Sequence, residues 1–195
     1  MRLLVLLLTL AVFPVHAQKP AYAVASLIGD RLLVVVADKS VGSNIDRNRL
    51  DEGTGIKPMI DVIAPAAQKA GATHLIIALK NRDDARLRVA DGMVGLGKLE
   101  GLGFYVDNVM RMTNSETGEG AVGFVAPFAY IRFLLVDLNT GATLREQVVR
   151  ESHAVSSQKA TVAWDALPAE QKVQLLQHLI RTAVDDAIPE LLGKP

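Results

Sequence analysis

FAYIRFLLVDLNTGATLREQVV, residues Phe128 to Val149, decides how this chain folds. Ala129 to Leu138 is almost entirely apolar or β-branched, the composition of a strand covered on both faces. Asn139-Thr140-Gly141 has the residues of a turn, and Ala142 to Val149 reads as a second, half-polar strand. The two form a hairpin whose first strand needs a sheet around it, with Leu135 buried at its middle.

The flanking chain supplies that sheet. Tyr22 to Ile28 and Arg31 to Ala37 are β-rich runs joined by Gly29-Asp30, which predicts a tight hairpin. Asp38 to Gly55 reads as a long polar surface loop. Apolar residues at Ile56, Ile60, Ile63 and Ala67 are spaced for a helix. Pro65 favours a start near Ile60 or Asp61, and Gly71 stands at the C-terminal cap. His74 to Leu79 is a strand, so strand, helix and strand suggest a crossover unit. Asn81 to Asp91 reads as a short edge strand. Gly92 to Gly103, with five glycines in twelve residues, reads as a loop. Phe104 to Met112 is a strand, and Thr113 to Pro127 a second glycine-rich loop. Pro168 opens a C-terminal helix, Val173, Leu176, Ile180, Ala183 and Ala187 line its buried face, and Pro189 is expected to stop it. Trp164 packs where that helix starts. The expected fold is α/β (α+β): a mixed, mainly antiparallel sheet of about five to seven strands, with helices near 58–70 and 168–187 packed on it.

Residues 1–17 stand apart. Arg2 precedes Leu3 to Val12, an apolar stretch too short to span a bilayer of ~30 Å. Val15-His16-Ala17 offers a cleavage site before Gln18. This is the pattern of a secretory signal peptide, leaving residues 18–195 as a single α/β domain, periplasmic or secreted. The whole chain of 195 residues has 21 basic and 21 acidic side chains; without Arg2, 20 basic residues face 21 acidic. Such a balance creates no global field that would draw in nucleic acid. Cysteine is absent, which excludes a lipidated cysteine anchor, disulfides, thiolate nucleophiles and Cys-ligated zinc. No second apolar run has the length of a transmembrane helix.

Candidate chemistry is sparse. Gly95-Leu96-Gly97-Lys98-Leu99-Glu100-Gly101-Leu102-Gly103 lacks the Gly-Lys-Ser/Thr ending of a phosphate loop. Asp38, Asp46, Asp51 and Glu52 do not have the spacing of an EF-hand. His74, His153 and His178 show no zinc-motif spacing, and no G-x-S-x-G elbow occurs. No catalytic residue, metal or cofactor is assigned. Tyr105 and Phe124, each beside a glycine-rich segment, are the expected exposed binding anchors, on loops that would serve as the functional surface.

The order strand, polar loop, helix, strand, followed by a strand ending Leu135-Val136-Asp137-Leu138-Asn139-Thr140-Gly141, resembles a broad group of exported envelope proteins. The group comprises the curli secretion lipoprotein, the outer-membrane activator of penicillin-binding proteins and the N-terminal domain of the Tol system's propeller protein. The resemblance is one of layout over roughly residues 30–190. This chain departs from it in lacking a lipidated cysteine, and the N-terminal runs and residues 92–103 have no counterpart. It implies a non-enzymatic binding or scaffolding role in the envelope, with an envelope protein or small ligand as partner. The alternative is a metal-assisted periplasmic hydrolase built from Asp38, Asp46 and His153. Export has a direct test. Mass spectrometry of protein from its native compartment should find Gln18, or a residue within a few positions, at the N-terminus; an intact Met1 in a cytoplasmic fraction would refute it.

Overall fold

The structure, a computed structural model, describes residues 19–29, 31–37, 56–89, 92–113, 118, 120–157 and 162–193. In chain order the elements are β1 (Tyr22–Ser26), β2 (Leu33–Ala37), α1 (Lys57–Lys69), β3 (His74–Lys80), β4 (Arg82–Asp84), β5 (Leu87–Val89) and β6 (Gly92–Val94). There follow β7 (Lys98–Thr113), β8 (Gly120–Asp137), β9 (Thr143–Ser152), β10 (Val155–Ser156), a short 3-10 helix (Ala163–Ala166) and α2 (Ala169–Leu192). The fold is mixed α/β with a large mixed sheet and a long C-terminal helix, as expected. The sheet has eight strands, and β5 and β6 form a separate two-stranded ribbon.

The quoted stretch holds the centre. β8 has 18 residues, far beyond the usual five or six, and pairs antiparallel with β9 from Phe128↔Ser152 to Val136↔Thr143. The turn between them forms where its residues predict. Asp137 Oδ1 accepts the amides of Asn139 and Thr140 at 2.8 and 2.9 Å, and Gly141 takes a φ of 71°. Those two amides hold the Asp137 carboxyl below its ordinary pKa, Thr140 foremost.

Two strands share the other edge of β8. Residues 131–137 pair with β3, and residues 120–130 pair with β7. Residues 128–136 also pair with β9, so β3 and β7 must lie end to end along the edge opposite β9. The joint is tight: the Asn81 amide donates to the Tyr130 carbonyl at 3.0 Å, and the Gly101 amide to the Asn81 carbonyl at 3.2 Å. Between these points the chain leaves the sheet as an arm, residues 82–100. Its stem is β4 paired with the start of β7, and its tip is the β5–β6 ribbon. The expected edge strand at 81–91 is therefore split in two, and the loop expected at 92–103 is part ribbon and part β7.

The N-terminal runs repeat this arrangement instead of forming a hairpin. β1 lies parallel to β3, and β2 parallel to β7. Both therefore run the same way, end to end along the sheet's outer line. Strand, helix and strand do follow one another as β2, α1 and β3, and β2 and β3 point the same way, but the two do not pair: β2 lies beside β7 on the outer line, and β3 continues the line of β7. The second expected glycine-rich loop is also mostly strand, since β7 and β8 stay paired out to Thr113↔Gly120. Glycine serves close approach there. A Cβ at Gly123, whose φ is +89°, would lie 2.5 Å from the Asp107 carbonyl oxygen. That crowding faces a bulge at which Asp107↔Phe124 is followed by Arg111↔Val122. Buried Asp107 secures the bulge by accepting the Val109 and Met110 amides, each at 2.8 Å.

The covers follow the two-residue period of β8. Ala129, Ile131, Phe133 and Leu135 pack on Leu179, Ala183, Ala187 and Leu191 of α2. Farther along the same face, Val125 meets Ala163 and Leu167 beside Phe104, Val106 and Leu176. On the opposite face Leu134, Val136 and Leu138 pack on Ile60 and Ala67 of α1. Phe124, Ala126, Phe128 and Tyr130 lie under Ala85, Leu87 and Leu99 of the arm. Trp164 meets Phe104 edge to face at 5.4 Å, and the Lys172 ammonium sits 3.8 Å above its ring.

α1 lies within a residue of the expected 58–70 at each end although Pro65 favoured a later start, and α2 runs past its expected end near 187. α1 begins at Lys57 with Pro58 in its first turn and retains exposed Pro65 inside. A helical proline costs about 3 kcal/mol, but the buried side of this helix carries Ile60 and Ala67 with Ile63 and Ala64 beside them. α2 passes through Pro189 to Leu192. Its final carbonyls are met by the Arg145 guanidinium, 3.2 Å from the Glu190 oxygen, and Gly193 closes it in the left-handed region. Leu135 is buried against α2. Leu135→Ala should cost ~2–5 kcal/mol through lost transfer energy and a residual cavity; a loss below ~0.5 kcal/mol in thermal or denaturant melts would show that β8 is not central.

Candidate functional site

Tyr105 and Phe124 do not reach the surface. Both are fully buried, with rings stacked at 5.8 Å and 22° beneath the arm. Their expected exposure followed from reading the adjacent glycine-rich segments as loops. Because those segments are strand, the alternation carries both rings onto the arm-covered face. The period was visible in the residues themselves, since Phe124, Ala126, Phe128 and Tyr130 stand at every second position.

The arm is fastened by phenols. Tyr130 Oη accepts the Arg86 amide at 2.8 Å, and its proton faces the Asp84 and Arg86 carbonyls, each at 3.2 Å. Tyr105 Oη accepts the Leu96 amide at 3.1 Å. Burial raises the pKa of both phenols, which keeps them neutral. Ser152 Oγ accepts the Arg88 amide at 3.0 Å. Arg150 Nε lies 2.7 Å from Asp83 Oδ2. The Asp84 amide and then Arg150 lower the Asp83 pKa. The arm is thus a structural cover, with Met93 and Leu96 on its outer side.

His153 is exposed where β9 gives way to β10, its amide donating to the Pro127 carbonyl at 3.2 Å. Asp38 and Asp46 lie outside the described residues, as do Asp51 and Glu52. His74 Nδ1 is 2.8 Å from Thr73 Oγ1, and His178 is exposed on α2. Glu151 is a half-buried carboxyl whose pKa is raised, by burial first and by Asp186 second. Among the described residues no three His, Asp or Glu side chains are grouped to hold a metal, and no helix is long and apolar enough to cross a membrane.

What the fold does present is the outer line of the sheet. β1 and β2 are its terminal strands, and among the described residues no strand pairs with their outer edge. Val24 is 74% exposed, Val34 50% and Val36 41%, with Tyr22, Leu32 and Leu33 also exposed. Alternation places Tyr22, Val24, Val34 and Val36 on the α2 face, while Ala23, Ala25, Val35 and Ala37 face α1 and the arm. α2 packs on β8 and β9, the opposite side of the sheet, and leaves these valines uncovered. Edge strands are ordinarily guarded by charge, proline or bulges. From Leu32 to Ala37 this one carries neither charge nor proline. Sequence reading identified these strands but assigned them to each other, which hid their free edge.

No protein-family model matches this chain, and no curated protein matches it. The burial of the two aromatic rings has a measurable consequence. Phe124→Ala should lower stability by ~3–5 kcal/mol in a denaturant melt; a change of a few tenths would mean that the ring is not packed beneath the arm.

Proposed function

We propose that this chain is an exported, non-enzymatic binding or scaffolding protein of the bacterial cell envelope, acting by contact through the β1–β2 edge. The observation that carries the reading is that unguarded line of half-exposed aliphatic side chains. An extended polypeptide added there would satisfy the outward backbone groups and cover Val24, Val34 and Val36 in one step. The signal-like residues 1–17 and the layout resemblance to contact-acting envelope proteins point the same way. Nothing among the described residues favours the hydrolase alternative.

The test compares capture from an envelope extract by wild type and by a Val34→Lys/Val36→Lys variant. Charge on the edge should reduce capture at least tenfold while the melt changes little, because both side chains are already half exposed. Undiminished capture by a folded variant would move the contact surface elsewhere. Hydrolytic turnover lost on His153→Ala would replace the reading altogether.

A further inference from the structure

We infer that the strand added to the β1–β2 edge is the same edge of a second copy, joining two sheets into one across a two-fold axis. The inference rests on the reading of this edge as the contact surface and names its partner.

The ladder registers carry the argument. Val24 pairs with Ile76, which pairs with Leu135; Val36 pairs with Val106, which pairs with Val125. Val24 and Val36 therefore stand equally far, five positions each, on either side of the level of Tyr130. Ala25 and Val35 are level with Leu134 and Ala126, and Ser26 and Val34 with Phe133 and Pro127, again symmetric about Tyr130. Because β1 and β2 run in the same direction, a two-fold axis normal to the sheet at that level lays β1 of one copy antiparallel to β2 of the other.

Antiparallel partners point to the same face, so a symmetric pair must match faces as well as positions. It does. Val24 meets Val36 of the second copy, with both on the α2 face. Ala25 meets Val35 and Ala23 meets Ala37, all on the face of α1 and the arm. The most exposed valine of the edge is thereby covered by another exposed valine, twice in each dimer.

Charge also permits it. Between Tyr22 and Ala37 the only charged residues are Asp30 and Arg31, at the midpoint and opposite in sign. The stretch therefore carries no net charge in its sequence to oppose a second copy of itself. Among the registers that a two-fold axis allows, the one centred level with Tyr130 sets exposed valine against exposed valine on one face.

The mature protein should sediment at twice its monomer mass at micromolar concentration. Val24→Lys/Val34→Lys should sediment as a monomer with an unchanged circular dichroism spectrum. Register is tested separately, because the chain has no cysteine of its own. Mixing a Val24→Cys protein with a Val36→Cys protein under mild oxidation should give a cross-linked heterodimer, whereas either variant alone should give little cross-link. This test holds even if the lysine variant fails to fold. A monomeric wild type, or a dimer that cross-links no better in the mixture than in either variant alone, overturns the inference. If a monomeric wild type still captures an envelope partner through Val34 and Val36, the binding reading stands and only the second copy falls.

Discussion

Burial of β8 on both faces is the condition that the rest of the molecule meets. From Ala129 to Val136 the strand offers a single charged side chain, Arg132, which reaches Glu146 on β9 at 2.7 Å. No single layer can cover such a strand, because its side chains alternate between opposite faces. α2 and the 3-10 helix cover one face along its length. The other face needs two separate covers, α1 toward the C-terminal end and the arm toward the middle. Each cover brings an apolar stripe that would otherwise stay in water, so the helices and the strand stabilise one another.

The arm shows how a polar segment can be placed over an apolar face. A few aliphatic side chains contribute the burial, while irregular backbone at Arg86 and Leu96 would leave amides unpaired. Such amides cost about 1–3 kcal/mol each when buried and unmet. Tyr130 and Tyr105 answer them from below, and the phenols in turn are spared an unpaired hydroxyl. Their rings belong to the core and their oxygens to the arm. The same economy recurs at Asp107 and Asp137, carboxylates that each bind two backbone amides to fix a bulge and a turn.

End-to-end strands are what leave an edge open. With β3 and β7 sharing one side of β8, and β1 and β2 sharing the next line, the sheet is four long lines wide instead of eight short strands. Its outermost line is formed by β1 and by β2, which carries three consecutive valines. The described helices lie inward of that line, so its exposure is a consequence of topology more than of any special residue.

The sequence by itself determined the local features. The two-sided strand around Leu135, the turn at Asn139-Thr140-Gly141 and the amphipathic stripe of α2 were legible, because periodicity and turn chemistry act over a few residues. Even the shared face of Phe124 and Tyr130 was present as a two-residue repeat. Only the tertiary structure decided which strands pair. Gly29-Asp30 has hairpin chemistry, yet β1 and β2 lie along β3 and β7. Glycines from Gly92 to Gly103 look like a loop, yet from Lys98 onward they lie in β7. Strand pairing is made by backbone hydrogen bonds common to all residues, so the choice of partner falls to whichever distant edges the covered faces leave free.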